Sequence, residues 1–353
     1  MKKSAIWHLA VLVVVATQAF LWAAADPAQS QEISDLYSSI ESADITLQGD
    51  AGIVAMKLDL IHEAKTIASR EMTAEVPGTF VVSWPALDAP KGSYEVSASL
   101  LKNNTVVAQK DYEFYFGGVE PIRFDVRDFR ADSRGIHMAI SASDPTVVDI
   151  YYMLIDGNRA VYITRDEVVS ISGSYSTPIV KDYDWKQILE NGHKYAGRVK
   201  IVELNHNQTR AFMNSFQAVD DAIITETYED ETGASATVLG NSRVPFKGSL
   251  KFILSQNGSV LNTTEKETPV LLSGDDETVE ITWNQTLQPG IYQLRTVLFG
   301  QGDDVKDLEE NVIEAEPMIR INATESTEKS NFPAGAAAVA MLIIAHLRRW
   351  RRD

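Results

Sequence analysis

Residues 283–294 read WNQTLQPGIYQL: a tryptophan, a leucine, then a glycine two residues before a tyrosine. The same rhythm stands at 84–96, WPALDAPKGSYEV, and at 185–199, WKQILENGHKYAGRV, where one extra residue separates glycine from tyrosine. With tryptophans at 84, 185 and 283, the copies recur about every 100 residues, and a repeat of that length decides the reading of the whole chain. Each tryptophan closes an extended run (TFVVSW, KDYDW, TVEITW), and each tyrosine opens an alternating one (YEVSASLL, YAGRVKIVEL, YQLRTVLF). Turn-like KNNT, NHNQ and GQGDD follow. Short runs of period two between Gly, Asn and Asp clusters specify antiparallel strands, and helical periodicity is absent outside the two ends.

The repeated corner has a physical reading. Glycine lets the chain turn, the tyrosine ring enters the core, and its hydroxyl satisfies a backbone group in the bend. Leu87, Leu189 and Leu287 supply apolar cover beneath it. This pattern resembles the tyrosine corner of immunoglobulin-like and fibronectin type III-like sandwiches, with Trp84, Tyr94, Trp185, Tyr195, Trp283 and Tyr292 as the structural corner residues. The chain departs from the antibody pattern, because it has no cysteine pair and its tryptophan precedes the corner. The copies are similar to repeat modules of prokaryotic, especially archaeal, cell-surface and S-layer-associated proteins. The expected fold is therefore all-β, three tandem immunoglobulin-like β-sandwich domains at 38–118, 119–221 and 222–321. They stand in series, and the middle unit is expected to fold when excised.

Both ends carry membrane-targeting patterns. Residues 1–25 begin with two lysines, continue through AVLVVVA and close on WAAA, the layout of a signal peptide, with an uncleaved signal anchor as the alternative. A lead segment, 26–37, follows, and 322–331 reads as a stalk; both are polar tethers. Residues 332–347 carry no Asp, Glu, Lys or Arg and would span about 24 Å as a helix. That is short for a hydrocarbon core of about 30 Å, so Arg348 and Arg349 must snorkel. With Arg351 and Arg352 they form a basic tip, 348–353, which the positive-inside rule places in the cytoplasm. The expected protein is a single-pass cell-membrane protein with extracellular domains and a short cytoplasmic C-terminus. The small-residue motif, apolar stretch and arginines also resemble a sorting signal that is cut and replaced by a lipid.

The chain has no cysteine, which removes disulfides, thiolate metal sites and cysteine nucleophiles. Its net charge of −17 argues against nucleic acid as a partner, since phosphate would be repelled. His62-Glu63 begins a zinc-protease motif, but Thr66 stands where the second histidine is needed. No nucleophile elbow, phosphate loop or dinucleotide fingerprint occurs, and no catalytic residue, cofactor or metal is expected. Calcium is a weak candidate through Asp125, Asp128 and Asp132, or the GDDE and GDDVKDLEE runs, against the simpler reading of solvated loops. Asn103, Asn207, Asn257, Asn262, Asn284 and Asn322 head N-x-S/T sequons and are candidate glycosylation sites. These features point to a non-enzymatic surface protein that binds protein or carbohydrate, adheres, or builds the envelope. The alternative is a membrane-tethered accessory module that binds such a client in an envelope or secretion complex.

Overall fold

The computed structural model describes residues 31–85, 88–118, 123–172, 177–302 and 304–316. Every regular element in it is a β-strand. The second group comprises β6 (Phe124–Ala131), β7 (Gly135–Ala142), β8 (Thr146–Asp156), β9 (Arg159–Ile171), β10 (Ile179–Asp184), β11 (Lys194–Glu203) and β12 (Thr209–Gln217). Its sheets run β6–β7–β10 and β9–β8–β11–β12, and between them lies one core that includes Ile140, Ile150, Trp185 and Val199. The third group repeats that plan with β13 (Ala222–Glu229), β14 (Gly233–Gly240), β15 (Ser249–Gln256), β16 (Ser259–Glu267), β17 (Asp276–Thr282), β18 (Gly290–Phe299) and β19 (Val305–Ala315). There the layers are β13–β14–β17 and β16–β15–β18–β19, around Phe246, Phe252, Trp283 and Leu298.

In the first group five strands do the same work: β1 (Glu32–Ser38), β2 (Ser42–His62), β3 (Lys65–Ser83), β4 (Gly92–Lys102) and β5 (Thr105–Phe116). β2 and β3 each serve both layers. Residues 42–47 of β2 pair with β1 and with 78–83 of β3; past a register shift between Leu47 and Gly52, residues 52–62 pair with 65–76 of β3 and with β4. Gly49, at φ 115°, lies inside the shift, in a conformation that suits glycine. The alternation in β4 sends Tyr94, Val96, Ala98 and Leu100 into the core.

Two expectations are corrected here. The segment 26–37 is not wholly a tether, because Glu32–Ser38 pairs with β2 and buries Ile33, Leu36 and Tyr37. Nor do the first and second units simply follow one another in series. The first packs against the side of the second, burying Val81 against Met153 and Ile155.

The three tryptophans occupy equivalent places. The amides of Trp84, Trp185 and Trp283 donate to the carbonyls of Glu41, Arg134 and Thr232, each at 2.9 Å. Their indole Nε1 atoms donate to Ser38 Oγ at 3.2 Å, Asp132 O at 2.9 Å and Asp230 O at 3.0 Å. Each ring thus plugs the turn between the first two strands of its unit. That turn is closed by a side chain: Asp132 Oδ1 accepts the amides of Arg134 and Gly135 (2.9 and 3.1 Å), and Asp230 Oδ1 those of Thr232 and Gly233 (2.7 and 3.0 Å). Ser39 Oγ plays this part in the first unit, accepting from Glu41 and Ser42. Gly135 and Gly233 are required by close approach, since a Cβ would fall 1.9 Å from Tyr183 O and 2.3 Å from Ile281 O.

Candidate functional surfaces

The outward face of β8 and β11 carries Tyr151, Met153, Ile155, Arg198 and Lys200, on which the first unit rests. Arg198 is wholly buried: its Nη2 donates to Asp44 Oδ1 at 2.5 Å and its Nη1 to Ser42 Oγ at 2.7 Å. Lys200 Nζ lies 2.8 Å from Asp44 Oδ2 and 2.9 Å from Asp35 Oδ2. The Asp44 contact is an ion pair off the hydrogen-bonding direction. Lys200 also stands over the Tyr37 and Tyr151 rings, 5.9 and 5.4 Å from their centroids. Two cations face two carboxylates, so the desolvation each would suffer alone is offset in the joint. Burial presses the Lys200 pKa down, but Asp44 and Asp35 outweigh it and hold the ammonium above its ordinary range. Burial, reinforced by Tyr112 and Asp44, pushes the Tyr37 hydroxyl well above its usual value.

Backbone contacts fix the angle of the joint. Tyr37 Oη donates to Thr209 O at 3.3 Å, at the start of β12, and the Val81 amide donates to Asn158 O at 2.8 Å, in the turn before β9. Those acceptors lie at opposite ends of the second unit's sheet, so the first unit is held to it at both ends. Arg159 pairs with Glu75 beside the bridge between Phe80 and Arg159. A cleft of about 550 Å³ opens there, with Ile53, Met72 and Phe80 as apolar wall and Asp156, Asn158 and Arg159 at the rim.

The second and third units meet end to end. The Arg243 amide donates to Ser133 O (2.9 Å), and the Leu189 amide to Arg243 O (3.0 Å). Val244 of the third unit packs into the second unit's core. A polar cleft of about 410 Å³ at this joint is lined by Arg130, Asp132, Arg134, His137, Asp221 and Lys306, among others. Most of its basic side chains are engaged within the protein: Arg134 with Asp184 (3.1 Å), His137 with Asp182 (2.7 Å), Lys306 with Asp220 (3.0 Å) and Asp304 (2.8 Å).

Tyr94 and Tyr292 are buried, and their hydroxyls donate to Pro90 O (2.6 Å) and Gln288 O (2.8 Å), four residues back. Tyr195 differs: it is half-buried, and its hydroxyl accepts from the Glu190 amide at 3.4 Å. The extra residue in GHKY moves the ring one position along, so the four-back carbonyl is out of register. Leu189 is buried, Leu287 half-buried, and Leu87 lies outside the described residues. Among the sequons, Asn103, Asn207 and Asn257 sit exposed in hairpin turns at φ 52°, 55° and 51°, a region asparagine tolerates. Asn284 is exposed and Asn262 half-buried on β16. Asn322, Arg348, Arg349, Arg351 and Arg352, with the expected signal, stalk and anchor segments, lie outside the described residues.

Of the candidate calcium ligands, Asp125 faces Arg127 and Arg210, each at 3.4 Å, and Asp132 is turned to its own backbone. Asp128 sits in a bulge of β6 at φ 53°. Among the described residues no group of three or more His, Asp or Glu converges as a metal site. His62 Nδ1 lies 2.9 Å from Ser93 O, with its ring stacked on Tyr94. Sequence reasoning missed the Asp44–Arg198–Lys200 cluster; its one signal was two cations on the outward positions of a strand otherwise rich in apolar residues.

No family model matches the chain, and no curated protein matches it. Among solved structures it is similar to a tetra-tandem repeat in the extending region of a large adhesion protein, at 9% identity over 82% of this chain and 75% of that one, with a TM-score of 0.22. It is also similar to Escherichia coli alpha-2-macroglobulin activated by porcine elastase, at 12% identity over 80% and 32% of the two chains, TM-score 0.20. A third similar structure is red sea bream transglutaminase, at 8% identity over 63% and 37%, TM-score 0.24.

Proposed function

We propose that this is a non-enzymatic cell-surface protein, held by residues 332–347, whose immunoglobulin-like sandwiches are presented outside the membrane for binding, adhesion or envelope structure. The observation that carries the reading is the joint between the first two units. It turns two small sandwiches into one broad head with a buried charge cluster, an arrangement suited to presenting a fixed surface. The third unit lies end to end with that head, and β19 finishes beside Gly290, at the end of the unit away from the Arg243 contact. The chain therefore leaves toward its apolar, arginine-tipped tail on the side opposite the head. The outward sheet faces and hairpin tips are the surfaces available to a protein or carbohydrate.

Protease applied to intact cells is expected to degrade the region 26–331 and spare a C-terminal remnant. Full protection until lysis would place the sandwiches inside and end the proposal. Hydrolytic or transfer activity in the purified protein, lost on changing one carboxylate, would overturn its non-enzymatic part.

A further inference from the structure

No disulfide ties the two layers of the second unit, because the chain has no cysteine. Along one side of that unit run the outermost strands of its layers, β9 and β10. Tyr162 on β9 and Tyr183 on β10 reach across to each other, with their hydroxyls 2.5 Å apart. The ring centroids are 6.5 Å apart and the planes 24° from parallel, and both rings are half-buried. Tyr183 is held from behind: Tyr152 stacks on it at 4.4 Å, and Trp185 meets it edge-on at 6.2 Å. Two other tyrosine pairs lack this geometry. Tyr37 and Tyr112 meet edge to face at 65°, and Tyr152 gives its hydroxyl to Asp166 Oδ2 at 3.2 Å instead of to Tyr183.

A tyrosine that loses one electron and its hydroxyl proton carries much of its unpaired spin on the ring carbons beside the oxygen. Two rings held hydroxyl to hydroxyl bring those carbons toward each other, and a fixed pair needs no bimolecular encounter to react. We propose that Tyr162 and Tyr183 form an oxidative cross-linking site, a dityrosine clasp between the two layers that takes the place of an inter-sheet disulfide. The oxidant is hydrogen peroxide acting through a one-electron peroxidase. Each phenol gives up one electron and one proton, and the two radicals join ortho carbon to ortho carbon. Each ortho hydrogen then moves as a proton to the oxygen of its own ring, which restores both phenols. The peroxide takes up the two electrons and two protons and leaves as two waters. In the product the hydroxyls flank the new bond as neighbours, the relation they already have. The clasp depends on the described fold alone and stands apart from where the protein resides.

Peptide mapping tests this in the full chain. After hydrogen peroxide and a haem peroxidase, trypsin is expected to release AVYITR (160–165) joined to DYDWK (182–186), lighter than their sum by two hydrogen atoms. The joined peptides should form about tenfold more in the folded chain than in the same chain unfolded in urea, because the fold supplies the proximity. Tyr162→Phe keeps the ring and should abolish the product. Tyr115→Phe changes a ring that is 64% exposed and should leave the yield as it was. Equal yield in the unfolded chain, a link from Tyr183 to a different tyrosine, or oxidation that consumes Tyr115 and Tyr228 without joining 162 to 183 would each overturn the proposal.

Discussion

Asp230 shows how one side chain closes a unit. Its carboxylate accepts from the Thr232 hydroxyl and from the Thr232 and Gly233 amides, which hold it below the usual carboxylate range despite some burial. Asp230→Ala should cost about 1–2 kcal/mol, while Asp230→Asn, which keeps an acceptor, should cost less. Hydrogen exchange at the Thr232 and Gly233 amides reads this directly; equal protection in Ala and Asn variants would contradict it. Glu203 follows the same logic in the second unit. Its side chain is buried, which by itself would raise its pKa, but the Thr146 hydroxyl at 2.5 Å and the amides of His206 and Asn205 hold it below the ordinary glutamate value. A depressed folded value means stability that is present above the unfolded glutamate range and lost as pH falls through the folded one. The β11–β12 turn should therefore lose amide protection in acid, and Glu203→Gln should flatten that pH dependence. The tryptophans were legible in the sequence because large rings recur at one spacing. Their partners Asp132 and Asp230 were not read as turn formers, because aspartates are common in this acidic chain and a two-residue hydrogen bond leaves no periodic trace.

At the scale of elements, hairpin turns separate what the sequence advertises from what it hides. The β15–β16 turn uses Asn257 and Gly258 at φ 51° and 80°, the residues a tight hairpin prefers. The corresponding β2–β3 turn puts Glu63 and Ala64 at φ 47° and 59°, where a Cβ is disfavoured. Ala64→Gly should relieve that strain and stabilise the first unit by about 0.5–1 kcal/mol, seen as a higher melting temperature. A lower melting temperature would mean that the added backbone freedom outweighs the strain. β1 was hidden for another reason. Its pairing slips between Ile33 and Asp35, so its apolar residues at 33, 36 and 37 break the period of two and read as a polar lead segment. β4 keeps the period of two in burial along its length, with Tyr94, Val96, Ala98 and Leu100 inward, and was legible throughout.

For the whole molecule, the joint between the first and second units decides whether the chain is a string or a head. Alternation alone assigns Arg198 and Lys200 to the outward face of β11, which reads as solvent; only the docked sheet makes them interior. Because Lys200 is held above its ordinary pKa, its contribution is complete below the unfolded lysine value and is lost as pH rises through the folded one. Alkali above about pH 10.5 should thus loosen the joint before it melts the sandwiches, whose cores are apolar. Substitution tests the same point near neutral pH. Asp44→Ala leaves Arg198 buried with Ser42 Oγ as its remaining side-chain partner, a loss of about 3–5 kcal/mol for a broken buried pair. Each unit keeps its own core, so that loss should open the joint instead of unfolding either side. Small-angle scattering should then report a larger radius of gyration, and protease should cut within 117–123. Replacing both partners, Asp44→Leu with Arg198→Met, removes the buried charges together and should keep the joint closed, since Lys200 retains Asp35 and the apolar contact of Val81 with Met153 and Ile155 persists. If Asp44→Ala stays as compact and protease-resistant as the parent, the charge cluster does not hold the head together, and the apolar contact alone must do so.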